Sequence, residues 1–363
     1  SRSFIWRARA EKSSTHIGSP PRRGSHCTGA LARPRSRRCP RFIRARWAFI
    51  SPAFSSRIRN SELRVKFRQA KAETSAALEP IAGQAQFSPE CHANYERLGF
   101  DPSPGIRGKT HLPDLCAFWV SRTAVMGDVQ PEVIASALGV FNPDVVVPIV
   151  RRGKERANAA TLWAARVDGA AAQLRRLLGP ELPVGAADVT ERLLDAAADL
   201  PLSGRPLFAG QRAAAVPDDP FARLWRSADR LREYRGDSHI QVWSAAGFDA
   251  LEIGLLSDLY WGLAPRAHTG GRGWTAEQLA AGEERLRSWG LIEGDAISAE
   301  GRAVRERIET QTDTAVERAL RSIGDVDSLI ETMQPWGAAV LDAGGYLTPL
   351  VRFTFDERGG RVG

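Results

Sequence analysis

The stretch TAEQLAAGEERLRSWGLIEGDAISAEGRAVRERIE, Thr275 to Glu309, reads as a helix, two short strands and a second helix. That order is the grammar of a winged helix-turn-helix unit. Thr275 and Gln278 form a T-x-x-Q capping box at the start of the first helix. Ala276, Leu279, Gly282, Leu286 and Trp289 follow at spacings of three or four, which places them on one face. Gly290 sits where a left-handed cap is wanted. The apolar pairs Leu291-Ile292 and Ala296-Ile297 flank Glu293-Gly294-Asp295, and Gly294 allows the positive φ of a tight hairpin. Ser298 is placed to cap the next helix, on which Val304 and Ile308 share a face.

In a DNA reader of this kind the first helix enters the major groove and the wing touches the backbone. Phosphate neutralisation by Lys and Arg supplies most of the affinity. Here that helix carries Glu277, Glu283 and Glu284 against Arg285 and Arg287, and the wing adds Glu293 and Asp295. Arg266, His268 and Arg272, just before the helix, complete the set of nucleic-acid candidates. DNA contact and a winged fold kept as scaffold are both open on these residues, because a fold does not fix a function.

Charge is unevenly spread. The chain has 363 residues and a net charge of +8. Residues 1–70 hold 18 Lys and Arg against two acids, whereas the remainder holds 32 against 40. The basic balance therefore belongs to the leader, and the rest is acidic. Residues 1–64 are rich in Arg, Ser and Pro, show no sustained apolar period, and read as disordered. Three readings of that leader compete: a targeting peptide, a basic arm that touches nucleic acid, or translated upstream sequence with the start near Val65. Cys27, Cys39, Cys91 and Cys116 form no C-x-x-C pair, so no zinc ribbon or disulfide framework is expected. No run of eighteen apolar residues occurs, so no membrane span is expected and a reduced cytoplasmic setting is the default.

The expected fold is mainly α, with winged helix-turn-helix-like units and long connecting helices. Residues 65–217 form an N-terminal helical domain, 218–343 a C-terminal winged-helix domain, and 344–363 a tail. Helices are expected over Ala70–Gln84 (broken around Pro80 and Gly83), Pro89–Leu98, Pro131–Leu138, Glu155–Leu178, Ala187–Ala198 and Val326–Ala343, with apolar segments at Leu112–Val125 and from Asn142 to Arg151. Phe100–His111 and Leu200–Pro217 read as loops. Arg235-Gly236-Asp237 reads as a break between helices at Phe221–Tyr234 and His239–Ala246, and Phe248–Tyr260 as an apolar helix. The two halves rhyme loosely, each with a helix, a short helix and a long apolar helix, so duplication is one alternative.

Two segments carry candidate ligand chemistry. In REYRGDSHI, Arg232 to Ile240, Asp237 can orient the imidazole of His239, and Arg235 can grip a carboxylate or phosphate in bidentate fashion. A plainer assignment has Asp237 as a cap, His239 as packing and Arg235 paired with an acid. In SPECHANYE, Ser88 to Glu96, Glu90 and His92 are two residues apart, about 200° around a helix, and cannot both face one small site. Joined with Asp237 and His239 they would make a two-His, carboxylate set for a metal. No P-loop, nucleophile elbow or H-E-x-x-H helix occurs, and no cofactor is expected. The oligomeric state is not legible.

SPECHANYERLGF, FWVSRTAVMGDV, GRPLFAGQR, REYRGDSHI and RGW followed by LRSWGLIEGDAISAEGRAVRERIETQTD occur in this order. With these motifs, Ala70 to Ala343 resembles the SalK-like helix-turn-helix proteins of actinobacteria. Gly273–Thr312 alone is similar to the winged unit of MarR-type regulators. The resemblance implies a helical winged fold, a regulator-like role with DNA or a small molecule as partner, and a recurrent feature at Arg235, Gly236, Asp237 and His239 without an assigned catalytic role. The alternative is an enzyme or ligand-binding protein that uses the winged fold as scaffold.

Overall fold

A computed structural model describes residues 77–347; the basic leader, Cys27, Cys39, the start near Val65, residues 70–76 and the tail beyond residue 347 lie outside the described residues. Residues 77–83 are helical through Pro80, and the backbone tightens to a 3-10 turn at Gln84–Gln86 directly after Gly83. Twelve further α-helices follow. They are α1 (Pro89–Arg97), α2 (Leu115–Thr123), α3 (Pro131–Leu138), α4 (Pro143–Lys154), α5 (Ala159–Leu178), α6 (Ala186–Ala198), α7 (Pro206–Ala213), α8 (Pro220–Ala245), α9 (Ala250–Tyr260), α10 (Ala276–Ser288), α11 (Ala299–Ile323) and α12 (Val326–Asp342). Two antiparallel hairpins are the strand content of the described residues: β1 (Ile106–Arg107) with β2 (Thr110–His111), and β3 (Ile292–Glu293) with β4 (Ala296–Ile297). The chain is mainly α.

The winged unit forms for the local reasons legible in its sequence. The Thr275 hydroxyl accepts the Gln278 N–H, and the Gln278 side chain accepts the Thr275 N–H, so both halves of the capping box are made. Gly290 and Gly294 adopt φ of 71° and 57°. Ile292 pairs with Ile297 across the hairpin, and Ser298 caps α11 by accepting the Gly301 N–H.

Two apolar cores organise the described residues. The larger packs residues 77–83 and α1 to α7 against α8 as far as Tyr234, with Val316, Ala319 and Ile323 of α11 and Leu329, Met333 and Trp336 of α12. The smaller holds Trp243, Phe248, Leu256, Leu279, Leu286, Ile292, Val304 and Ile308. Each such side chain contributes about 1.5–3 kcal/mol when fully buried. Both α8 and α11 therefore run from one core into the other.

Two expected features are overturned. Arg235-Gly236-Asp237 does not break a helix, since α8 runs from Pro220 to Ala245. Gly236 costs a helix interior only about 1 kcal/mol, and the tertiary contacts of its neighbours exceed that. Leu200–Pro217 is not all loop but contains α7, with Pro206 at its first position. Phe100–His111 likewise contains the first hairpin. Elsewhere, Ser88, Asn142, Asn158 and Asp249 cap α1, α4, α5 and α9 with their side chains.

The hairpin is held to α11 by a close backbone approach. A Cβ on Gly301 would stand 2.0 Å from the carbonyl oxygen of Leu291 and 3.0 Å from the Ile297 side chain. Backbone cannot yield as a flexible side chain does, so Gly301→Ala is expected to cost about 3 kcal/mol, the upper end of the usual overpacking range. Urea melts should show a lower midpoint for the variant; an unchanged midpoint would contradict this packing.

Candidate functional site

Helix α8 carries a row of charged side chains inside the protein. Arg226, Asp229, Arg230, Glu233 and Asp237 fall at spacings of three or four, so they share a face, and each is buried. That face meets α7, α5 and α2. Ionised groups lose hydration there, so each requires partners.

Helix α7 supplies several. At its N-terminus the Asp237 carboxylate accepts the Phe208 N–H at 2.9 Å, beside the Arg205 guanidinium, which donates to the Ser238 hydroxyl at 2.9 Å. Near its C-terminus the Gln211 carbonyl accepts from Arg226 at 2.9 Å and from Arg230 at 3.1 Å, and the Ala214 carbonyl accepts from Arg230 at 3.0 Å. An anion thus sits at the positive end of α7 and two cations at its negative end, the arrangement the helix dipole favours. Midway, Gln211 donates to Asp229 at 2.5 Å. On the other side, Arg122 of α2 grips Glu233 with two hydrogen bonds, at 2.9 and 2.8 Å. Arg232 bridges Glu233 and Glu79, and Tyr346 donates to Glu79. Burial pushes the Glu233 carboxyl up, but Arg122 and Arg232 overcome it and hold the group at about 2. The Asp237 carboxyl has no guanidinium grip. Burial dominates there and lifts it to about 7, although the Phe208 N–H opposes this.

The partnering is incomplete. Nε and Nη1 of Arg166 and of Arg226, Oδ1 of Asp229 and of Asp237, Oε1 of Gln211 and the Tyr95 hydroxyl are all buried without a hydrogen-bond partner. Such a concentration is unusual, since buried polar groups are nearly always paired.

The residues of REYRGDSHI are divided between two faces of α8. Asp237 faces α7. Arg235 and His239 face α11, where Arg235 meets Glu309 at 3.2 Å, Glu309 meets Arg305 at 2.5 Å, and the imidazole Nδ1 of His239 lies 2.9 Å from the Thr312 hydroxyl. Glu90 and His92 lie elsewhere, on α1. Glu90 is held by Arg176 and the Ser88 hydroxyl. His92 is buried, with Nε2 3.1 Å from the Gln86 carbonyl and His111 as its ring neighbour. Burial lowers the His92 imidazole below its ordinary value. Among the described residues, no group of three or more His, Cys, Asp or Glu side chains is placed to hold a metal ion.

The nucleic-acid candidates are engaged within the chain. Arg266 forms a fork with Glu283 at 2.6 and 2.7 Å. Arg287 lies 3.7 Å from Glu283 and 3.5 Å from Glu284. Arg285 donates to Glu252 at 2.5 Å and to Asp249 at 3.1 Å. His268 rests against Asp258. Arg272 lends its carbonyl to the Asn142 N–H at 2.9 Å, and the Asn142 amide donates to the Gly273 carbonyl and to Gln278. The entrance to α10, the part of a reading helix that meets bases, is therefore tied to the start of α4.

Sequence reasoning missed Arg166, Arg226, Asp229, Gln211 and Glu233. Their spacing on α8 was visible, but a solvated helix face produces the same spacing. Nothing local marks α7 as the element that covers it.

A family model described as a helix-turn-helix family matches residues 71–347. No curated protein and no solved structure matches the chain. No helix among the described residues is long and apolar enough to cross a membrane.

The raised carboxyl of Asp237 makes a pH signature. In the unfolded chain it ionises near 3.9, whereas in the folded chain it keeps its proton to about 7. Between those values the folded state binds more protons, so stability falls as pH rises. The loss contributed by this group is complete above the folded value and amounts to about 4 kcal/mol at most. Asp237→Asn should flatten the decline of stability between those pH values in denaturant titrations; an unchanged slope would show that the carboxyl titrates normally.

Proposed function

The chain belongs to a helix-turn-helix family, and from that premise we propose that it is a regulator-like winged-helix protein that senses a small molecule. The observation that carries the reading is α8. One unbroken helix lines the incompletely paired polar cluster in the larger core and places Trp243 in the smaller core. Its Arg235 and His239 grip α11, the helix that follows the wing. A change of occupancy or charge near Asp229 therefore has a rigid route to the winged unit. Spatial intermediacy alone is not coupling, so the reading requires a measured effect at a distance. Kinship with SalK-like proteins, and with MarR-type regulators over Gly273–Thr312, is part of this proposal and is supported by the motifs quoted above.

Hydrogen exchange supplies the measurement. Asp229→Asn removes a charge in the larger core without touching the winged unit. Under this reading, amide exchange in α10 and the β3–β4 hairpin changes severalfold. Exchange altered only around α7 and α8 would overturn it.

Direct duplex binding by α10 and the wing is a second reading, favoured by the family and by the formed hairpin. It requires Arg266, Arg285 and Arg287 to leave their carboxylates for phosphates. Full-length chain with all three changed to Ala should differ from wild type in duplex binding by less than about threefold if these ion pairs persist. Loss of three phosphate contacts would instead weaken binding by an order of magnitude or more at low salt. The basic leader is common to both proteins and does not affect the comparison.

A further inference from the structure

Arg166 of α5 and Arg226 of α8 stand on either side of a pair of indoles. The Arg226 guanidinium carbon lies 4.6 Å from the Trp163 ring centre, Trp163 and Trp225 are 5.8 Å apart, and the Arg166 guanidinium carbon lies 5.6 Å from Trp225. The indole faces attract the cations but satisfy none of their N–H groups. Both arginines are buried, with exposures of 2% and 0%. Arg166 retains unpartnered Nε and Nη1 beside Tyr95 and Asp229. Arg226 uses Nη2 on the Gln211 carbonyl and retains Nε and Nη1. The Tyr95 hydroxyl lies near Ser121 and Arg166 and meets neither in hydrogen-bonding geometry.

Acceptors lie among these donors. Asp229 is within electrostatic reach of both arginines, and one of its oxygens is taken by Gln211 while the other is unpartnered. The side-chain oxygen of Gln211 is unpartnered too. An anion alone would satisfy the guanidinium forks but leave these acceptors unmet beside a carboxylate. A neutral donor alone would leave the forks unmet. Deleting the cost of both requires one molecule with two complementary ends.

We infer that Arg166, Arg226, Tyr95, Asp229 and Gln211 form a recognition site for a small molecule bearing an oxyanion with a hydrogen-bond donor beside it, the chemistry of an α-hydroxy or α-amino acid. The oxyanion takes the guanidinium N–H groups, as planar forks favour. The hydroxyl or ammonium donates to Asp229 and Gln211. Trp163 is half-buried where Trp225 is fully buried, so entry runs past the Trp163 indole to Arg226. The ligand class deepens the sensing reading and rests on it for its consequence, though binding itself does not.

Four molecules on one three-carbon frame test the inference: lactate and alanine carry both ends, propionate lacks the donor, and lactamide lacks the oxyanion. Calorimetric titration of the full chain should show lactate or alanine binding at least tenfold tighter than propionate and lactamide. Preference for lactate over alanine identifies the hydroxy acid, and the reverse the amino acid. Arg166→Gln should remove the preference, and Arg166→Lys, which keeps the charge but not the fork, should weaken it. Arg176→Gln, a surface change, should leave it intact, and near-ultraviolet circular dichroism verifies folding of each variant. Equal binding of all four, binding of propionate as tight as that of lactate, or no binding by any overturns the inference, and water then fills the cluster. Exchange in the winged unit after Asp229→Asn tests the sensing reading separately. Tight lactate or alanine binding without that response would leave the site standing and the sensing reading fallen.

Discussion

The contact on which the rest depends is the one between the charged row of α8 and the two ends of α7. A short helix of eight residues is marginal in water by its own propensity. Here its free N–H groups find Asp237, and its free carbonyls find Arg226 and Arg230. The two elements are mutually necessary. Without α7 the row on α8 would be solvated like any helix face, and without the row α7 would have no caps. Buried ion pairs and charged caps add little net stability, because desolvation offsets much of the attraction. Losing one partner costs several kcal/mol, however, since an unpaired charge is left inside. The contact therefore specifies where α7 lies more than it strengthens the fold.

That specification reaches the winged unit through α8. Its first four turns are locked by α5, α6 and α7, and its last turn enters the smaller core at Trp243. α11 runs the other way between the same two cores, and the Arg235–Glu309–Arg305 chain and the His239–Thr312 contact fasten the two helices together. Two helices crossing both cores leave the winged unit little freedom to turn alone. The tie from Asn142 to Gly273 and Gln278 restricts it from another side.

What the sequence made legible follows the range of the forces involved. The wing was readable because its determinants are local: a capping box three residues wide, two glycines with positive φ, and apolar pairs that fix the register. The supposed break at Arg235-Gly236-Asp237 was misread because glycine's weak helix penalty is a local signal, and the opposing contacts come from helices far along the chain. α7 was invisible for the same reason, its N-terminal partner being 29 residues away. The site was legible only in part. Asp237, Arg235 and His239 are the right residue types on the right helix, but their division between α7 and α11 follows from the continuity of α8. Arg166 and Arg226 gave no signal at all, since an arginine in an amphipathic helix is ordinarily solvent-facing.

The acidic balance of residues 71–363 acquires a structural meaning from these contacts. Glu79, Glu233, Glu252, Glu283 and Glu309 each hold an arginine within the chain. Carboxylates and phosphates compete for the same planar guanidinium fork, so an arginine count overstates the cations a helix-turn-helix surface can offer to DNA. On α10 and its approach the forks are closed by glutamates from the same chain. Around Asp229 they are not: Arg166 and Arg226 outnumber the acceptors that reach them, although both lie deeper than any arginine of the winged unit. A fold that closes its surface forks and leaves its innermost ones open places its unmet demand for an anion inside the larger core, beside α8, and away from the helix that its family would assign to bases.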